Sequence, residues 1–141
     1  MKKVITMGVL VFAAAGCHNS PLKPEDALVK PDKIYASKLA TSAVGTVPVL
    51  VQRPAAHFGW TQTAYLYVDG TRFADMKNGQ RVSMRLPVGP HRIGVKIYDS
   101  NSSDVQVREV ETTIADGGAY AFKVFIAGPG GFEIQRDYQP N

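Results

Sequence analysis

Residues 80–98 read QRVSMRLPVGPHRIGVKIY, and this stretch decides the fold. Val82, Met84 and Leu86 alternate with Arg81, Ser83 and Arg85. After a Pro87 to Pro90 turn, Ile93, Val95 and Ile97 alternate with Arg92, Gly94 and Lys96. A period of two places successive side chains on opposite faces of a strand. Both segments are therefore expected to be strands with one buried face and one wet face.

Working outward, the same grammar continues on both sides. Val47 to Arg53, Thr63 to Val68 and Thr71 to Met76 are short runs rich in β-branched and aromatic residues, cut by turn residues. Asp69-Gly70 is a hairpin signal, because a tight two-residue turn needs positive φ. Lys77-Asn78-Gly79 marks a second turn. Beyond residue 98, Asp99 to Ser103 is a polar loop. Val105 and Val107 then share one phase, while Val110, Thr112 and Ile114 share the other. A slip of one residue predicts a β-bulge or a bend near Arg108-Glu109. Asp116-Gly117-Gly118 turns the chain again. Ala119 to Ala127 is the most apolar run and is expected at the centre of a sheet, with Tyr120, Phe122, Val124 and Ile126 on one face. Gly128 to Gly131 is a loop, and Phe132 to Tyr138 is the last strand.

Seven or eight short strands with close turns imply an all-β domain over residues 47–141. An Ig-like or transthyretin-like β-sandwich is the expected architecture. Residues 17–46 differ in character. Pro21, Pro24 and Pro31 break helix, and Lys23, Glu25, Asp26, Lys30, Asp32 and Lys33 keep the segment solvated. It is either a flexible tether that supplies reach or an irregular arm packed along the domain. One short helix is expected within Asp32 to Thr41, with Ile34, Leu39 and Ala40 as its apolar side.

The first 16 residues form a third region. Lys2 and Lys3 precede an uncharged run from Val4 to Ala15, which is the layout of a secretory signal. The run is too short to span a bilayer, which takes about 20 apolar residues. It ends at Ala14-Ala15-Gly16-Cys17, and Cys17 is the single cysteine of the chain, so it has no internal disulfide partner. This boundary resembles the bacterial lipobox, although the box usually has Leu where Ala14 stands. The resemblance implies that Met1 to Gly16 are removed and that Cys17 is acylated, with membrane lipid as its partner. In the lipoproteins it resembles, an aspartate after the cysteine retains the protein in the inner membrane. His18 occupies that place here, which implies the outer membrane of the cell envelope.

Removing Lys2 and Lys3 lowers the formal net charge from +4 to +2. The remaining basic residues are scattered singly, with no footprint for nucleic acid.

Residues 65–95 contain Tyr-Leu-Tyr-Val-Asp-Gly-Thr, then Asn-Gly-Gln, then Leu-Pro-Val-Gly-Pro-His-Arg-Ile-Gly-Val. This is similar to PEGA domains and to a related uncharacterised domain of bacterial lipoproteins. Val68, Asp69, Gly70, Gly79, Pro87, Gly89, His91, Ile93 and Val95 fill the shared positions. PEGA proper has Pro-Glu-Gly-Ala where this chain has Pro-Val-Gly-Pro, so the uncharacterised relative is the better match. The resemblance covers the middle third of the chain. It implies an envelope module that mediates contacts, and no catalytic residues come with it. Bottom-up, Asp69, Gly70 and Gly89 serve turns, and His91 is expected to tie its turn to neighbouring backbone.

Three constellations could carry chemistry. A nucleophilic triad would draw on His18, His57 or His91, but no serine stands in a G-x-S-x-G elbow and Cys17 is taken by the anchor. Asp99, Asn101, Ser103 and Asp104 fall in one loop, yet the sixth and twelfth places of a calcium loop hold Asp104 and Val110 instead of Gly and Glu. No metal or cofactor is expected. The third is His57-Phe58-Gly59-Trp60, which holds the single tryptophan. Aromatic loop residues can contact a sugar or a protein, or the loop can fold over the open end of the sandwich and bury Trp60 as a plug. The plug is the expected arrangement, and His57, Phe58 and Trp60 remain the candidate binding loop.

The chain is thus expected to be an envelope lipoprotein whose β-domain is not an enzyme. It would bind a protein partner or cell-wall component, as an accessory of a larger assembly. The alternatives are a stand-alone carbohydrate- or peptide-binding module and a small hydrolase.

Overall fold

A computed structural model of the protein describes residues 27–97, 107–127 and 131–138. The strands are β1 (Thr46–Gln52), β2 (Ala64–Val68), β3 (Thr71–Met76), β4 (Arg81–Pro87), β5 (Gly89–Ile97), β6 (Arg108–Ile114), β7 (Tyr120–Ile126) and β8 (Phe132–Arg136). They form two four-stranded sheets, in the orders β4-β1-β7-β8 and β3-β2-β5-β6. Every pairing is antiparallel except β1 with β7.

The alternation read from the sequence is what closes the sandwich. Val82, Met84 and Leu86 of β4, Ile93 and Val95 of β5, and Tyr120, Phe122 and Val124 of β7 all point into one core. Ile126 packs on its margin. The side chain of Ile97 lies outside the description. Strand β7 is central, flanked by β1 and β8. Of the two topologies expected, the Ig order puts the first two strands in one sheet. Here β1 and β2 lie in opposite sheets, which leaves the transthyretin-like alternative.

Two local expectations need correction. No register shift occurs in β6, which pairs regularly from Gly89↔Ile114 to Val95↔Arg108. The strand begins at Arg108, and no bulge falls at Arg108-Glu109. Residues 98–106 lie outside the described residues. The irregularity sits instead between β2 and β3, where Leu66 pairs with Ala74 and Tyr67 with Arg72. Phe73 is the extra residue, which is how Phe73 and Ala74 can both be buried in succession.

The helix expected within Asp32 to Thr41 is two short 3-10 turns, Pro31–Lys33 and Ser37–Ala40. Between them the chain pairs with a sheet edge: Ile34 bridges Ala74, and the Tyr35 amide donates to the Phe73 carbonyl at 2.8 Å. An edge strand offers unpaired backbone groups, and here they take priority over helix. Earlier in the segment, Arg81 of β4 donates to the Ala27 carbonyl and accepts from the Val29 amide. Val29 is buried, and Ile34, Ala36 and Leu39 pack against the core. Residues 27–40 are therefore a packed arm along the edges of β3 and β4. Tyr35 fastens it further, donating to Asp75, which also holds Arg72 in a bidentate pair.

Candidate functional site

Strand directions place the two sets of candidate residues at opposite ends of the sandwich. At one end are the β2–β3 turn, the β4–β5 turn and the start of β7. At the other are the loop 53–63, the turn 77–80 and the end of β7.

The first end is built around Asp69. Asp69 (φ 49) and Gly70 (φ 79) both take left-handed backbone, as a two-residue hairpin of type I′ requires. The Asp69 amide donates to the Arg92 carbonyl at 2.8 Å. Its carboxylate accepts from the Arg92 amide at 2.8 Å and meets His91 Nδ1 at 2.8 Å. His91 Nε2 reaches back to the Pro87 carbonyl at 2.9 Å, across the bend at Gly89 (φ 132). Asp69, Gly70, Gly89 and His91 therefore join two turns into one unit. Both partners of the ring are acceptors, so a neutral imidazole can donate in only one of the two bonds. Burial would raise the Asp69 carboxyl, but the Arg92 amide and His91 outweigh it and hold it below its ordinary value.

A groove of about 390 Å³ lies beside this unit, lined by Pro90, Arg92, Glu111, Thr112 and Thr113 as well as Asp69 and His91. A general base needs a ring nitrogen within reach of a substrate proton. Both nitrogens of His91 are instead engaged by the fold.

The second end is organised by Arg53, the last residue of the first apolar run. Val47, Val49 and Val51 point inward, and Arg53 continues their phase. Its side chain is only 3 % exposed. The guanidinium stacks 4.5 Å above the Phe132 ring and donates to three carbonyls: Gln62 and Met76 at 2.7 Å and Gly59 at 3.0 Å. Burial lowers Arg53 to about 10, so it remains a cation at neutral pH. The signal that identifies it is the phase alone.

This clamp decides how the aromatic loop sits. Gly59 (φ 68) lies with its backbone against Ile126, where a Cβ would overlap that side chain. With Gly59 turned inward, its neighbours turn outward: Phe58 is 73 % and Trp60 65 % exposed. The plug expected of Trp60 is therefore overturned, because Arg53 and the Gly59 backbone already fill that end. Asn78 ties the loop to the next turn, accepting from the Ala56 amide at 2.9 Å and donating to its carbonyl at 3.1 Å. Two grooves flank the loop. One of about 340 Å³ is lined by Ala55, Ala56, His57, Trp60 and Asn78. A smaller one of about 170 Å³ lies between Phe58 and the Val124–Ile126 end of β7.

Cys17 and His18, with Met1 to Gly16, lie outside the described residues, as do Asp99, Asn101, Ser103 and Asp104. Among the described residues, no helix is long and apolar enough to cross a membrane. The chain matches no known protein family and no curated protein.

Proposed function

We propose that this chain is the precursor of an envelope lipoprotein, anchored through Cys17 and acting by contact and not by chemistry. The carrying observation is the exposure of Phe58 and Trp60 on a loop whose backbone is fixed by the buried Arg53. Binding energy concentrates in a few aromatic or arginine anchors, and a loop ordered beforehand loses little entropy on binding. The engagement of both His91 nitrogens supports the non-enzymatic reading. The PEGA-like resemblance fits the same picture, since Val68, Asp69, Gly70, Gly79 and the Pro87–Val95 stretch fall on turns and strands that shape the sandwich. The outer membrane is the proposed location, by the lipobox and His18.

The test is a photo-crosslinking residue at Phe58 in the full chain, expressed in cells. Capture of an envelope component is expected. A Trp60→Ala variant that remains folded by circular dichroism should reduce it. Full capture by Trp60→Ala, with loss in a folded His57→Ala variant, would overturn the contact reading.

A further inference from the structure

The packed arm fixes where the chain enters the sandwich. Arg81 donates to the Ala27 carbonyl at 2.8 Å, and the Gln80 amide side chain donates to the Leu28 carbonyl at 3.3 Å. Both residues sit at the start of β4, at the end that carries the aromatic loop. Asn78, just before them, holds Ala56 at the base of that loop. The entry point and the exposed aromatics are therefore neighbours.

Cys17 stands ten residues before Ala27. A chain spans at most about 3.6 Å per residue, so these ten reach no further than about 36 Å in any conformation. A seven-residue strand is itself about 23 Å long. Placing the Asp69–His91 end against the bilayer would require the segment to run back along the whole sandwich, using about two thirds of its maximum reach. The Phe58–Trp60 end needs no such path.

That end has the matching chemistry. Trp60 and Phe58 project from it, and Leu28 is half exposed beside the entry point. Tryptophan favours the membrane–water interface, where its ring meets lipid and its N–H meets water. Charge does not decide the matter: Lys77, Arg81 and Arg108 stand against Glu109 and Glu133 at this end, which is close to balance. A tethered loop also meets the lipid surface at a far higher effective concentration than any free partner.

We propose that the Phe58–Trp60 loop is a second membrane contact, resting with Leu28 in the interfacial layer of the bilayer that holds Cys17. The sandwich then stands with its Asp69–His91 end outward. This assignment rests on the anchoring reading above and names the lipid surface as the component the loop meets.

Trp60 is the single tryptophan, so its fluorescence reports on the contact directly. The full lipidated protein is purified from membranes and reconstituted into phosphatidylethanolamine–phosphatidylglycerol vesicles, with and without bromine on the acyl chains. Trp60 emission should shift to the blue, lose severalfold in acrylamide quenching and be quenched by the brominated lipid, with little dependence on salt. The Cys17→Ser protein mixed with the same vesicles should show none of this. A Trp60→Phe, Val88→Trp variant, which moves the reporter to the opposite end, should stay water-exposed. If Cys17 carries acyl chains but Trp60 remains acrylamide-accessible, or is equally shielded before reconstitution, the lipid contact is wrong and the anchor stands. Equal quenching of both reporters by lipid would overturn the orientation. Absence of acyl chains on Cys17 would overturn the anchor and the contact together.

Discussion

Asp69 and His91 are 22 residues apart in sequence, yet their side chains meet at 2.8 Å and lock the β2–β3 turn onto the start of β5. The Asp69 carboxylate divides its oxygens between the His91 ring and the Arg92 amide. Its removal releases both turns at once.

The pH dependence of stability follows from this pair. The folded Asp69 carboxyl lies below its unfolded value, so the folded state binds fewer protons there. The resulting stabilisation is complete above the unfolded carboxylate value of ~3.9 and is lost as pH falls through the lower folded value. Asp69→Asn keeps the tolerance for left-handed backbone but removes the charge. It should cost up to about 1 kcal/mol at neutral pH, through weaker hydrogen bonds at a half-exposed carboxylate that water partly screens. Urea melts from pH 7 to pH 3 should show the gap to wild type closing. A gap that stays constant would rule out this role.

Arg53→Met should be the most damaging change at the aromatic end. It leaves the carbonyls of Gly59, Gln62 and Met76 without their donor, at about 1–3 kcal/mol for each one that stays dry. Arg53→Lys should recover only part of the loss, because an ammonium lacks the planar fork that reaches separate acceptors. Equilibrium unfolding of the three proteins gives the order wild type, Lys, Met. Equal stability of wild type and Arg53→Met would contradict the clamp.

The aromatic loop separates exposure from stability. Trp60→Ala should change stability by no more than about 0.5 kcal/mol, since the side chain is mostly in water. Gly59→Ala should cost at least about 1–2 kcal/mol, from its positive φ alone, and more from the overlap with Ile126. Ile126→Ala should therefore be less harmful in the Gly59→Ala background than on its own, which a double-mutant cycle measures. Additive effects would mean that the two residues do not press on each other.

The core is tested at adjacent residues of β5. Val95 is fully buried and Lys96 is partly exposed on the opposite face. Val95→Asp places an unpaired charge in the sandwich and should abolish folding in a domain of about 5–15 kcal/mol stability. Lys96→Asp should cost about 1 kcal/mol or less. Similar urea midpoints for the two variants would contradict the strand phase.

At the front of the chain, Cys17→Ser should lose all incorporation of labelled fatty acid and accumulate as an uncleaved or soluble form. Label retained by that variant, or absent from wild type, would remove the anchor.

Much of the sandwich was legible because strand phase is a local property. Val82 to Leu86, Ile93 to Val95 and Tyr120 to Val124 each carry their inward face in their own alternation. The Asp69-Gly70 hairpin was equally local, since two adjacent residues must both accept positive φ. Arg53 was within reach of the same reasoning, being one step of two beyond Val51, but a charged residue at an inward position looks like the end of a strand. Only the carbonyls of Gly59 and Gln62 in the loop and of Met76 at the end of β3, brought together by two separate segments, make its burial tolerable.

Local sequence was enough to say which residues form strands, which face of most of them turns inward and where the hairpins turn, because those depend on neighbours one to four positions away. The order of strands, the arm over the β3 and β4 edges, the exposure of Trp60 and the separation of the Asp69–His91 pair from the aromatic loop were decided by tertiary structure alone. Each of these depends on which distant segments arrive at the same place. An aromatic residue in a loop has no periodicity to report its surroundings, so Trp60 could be read as plug or surface until Arg53 was found in the space it would have filled.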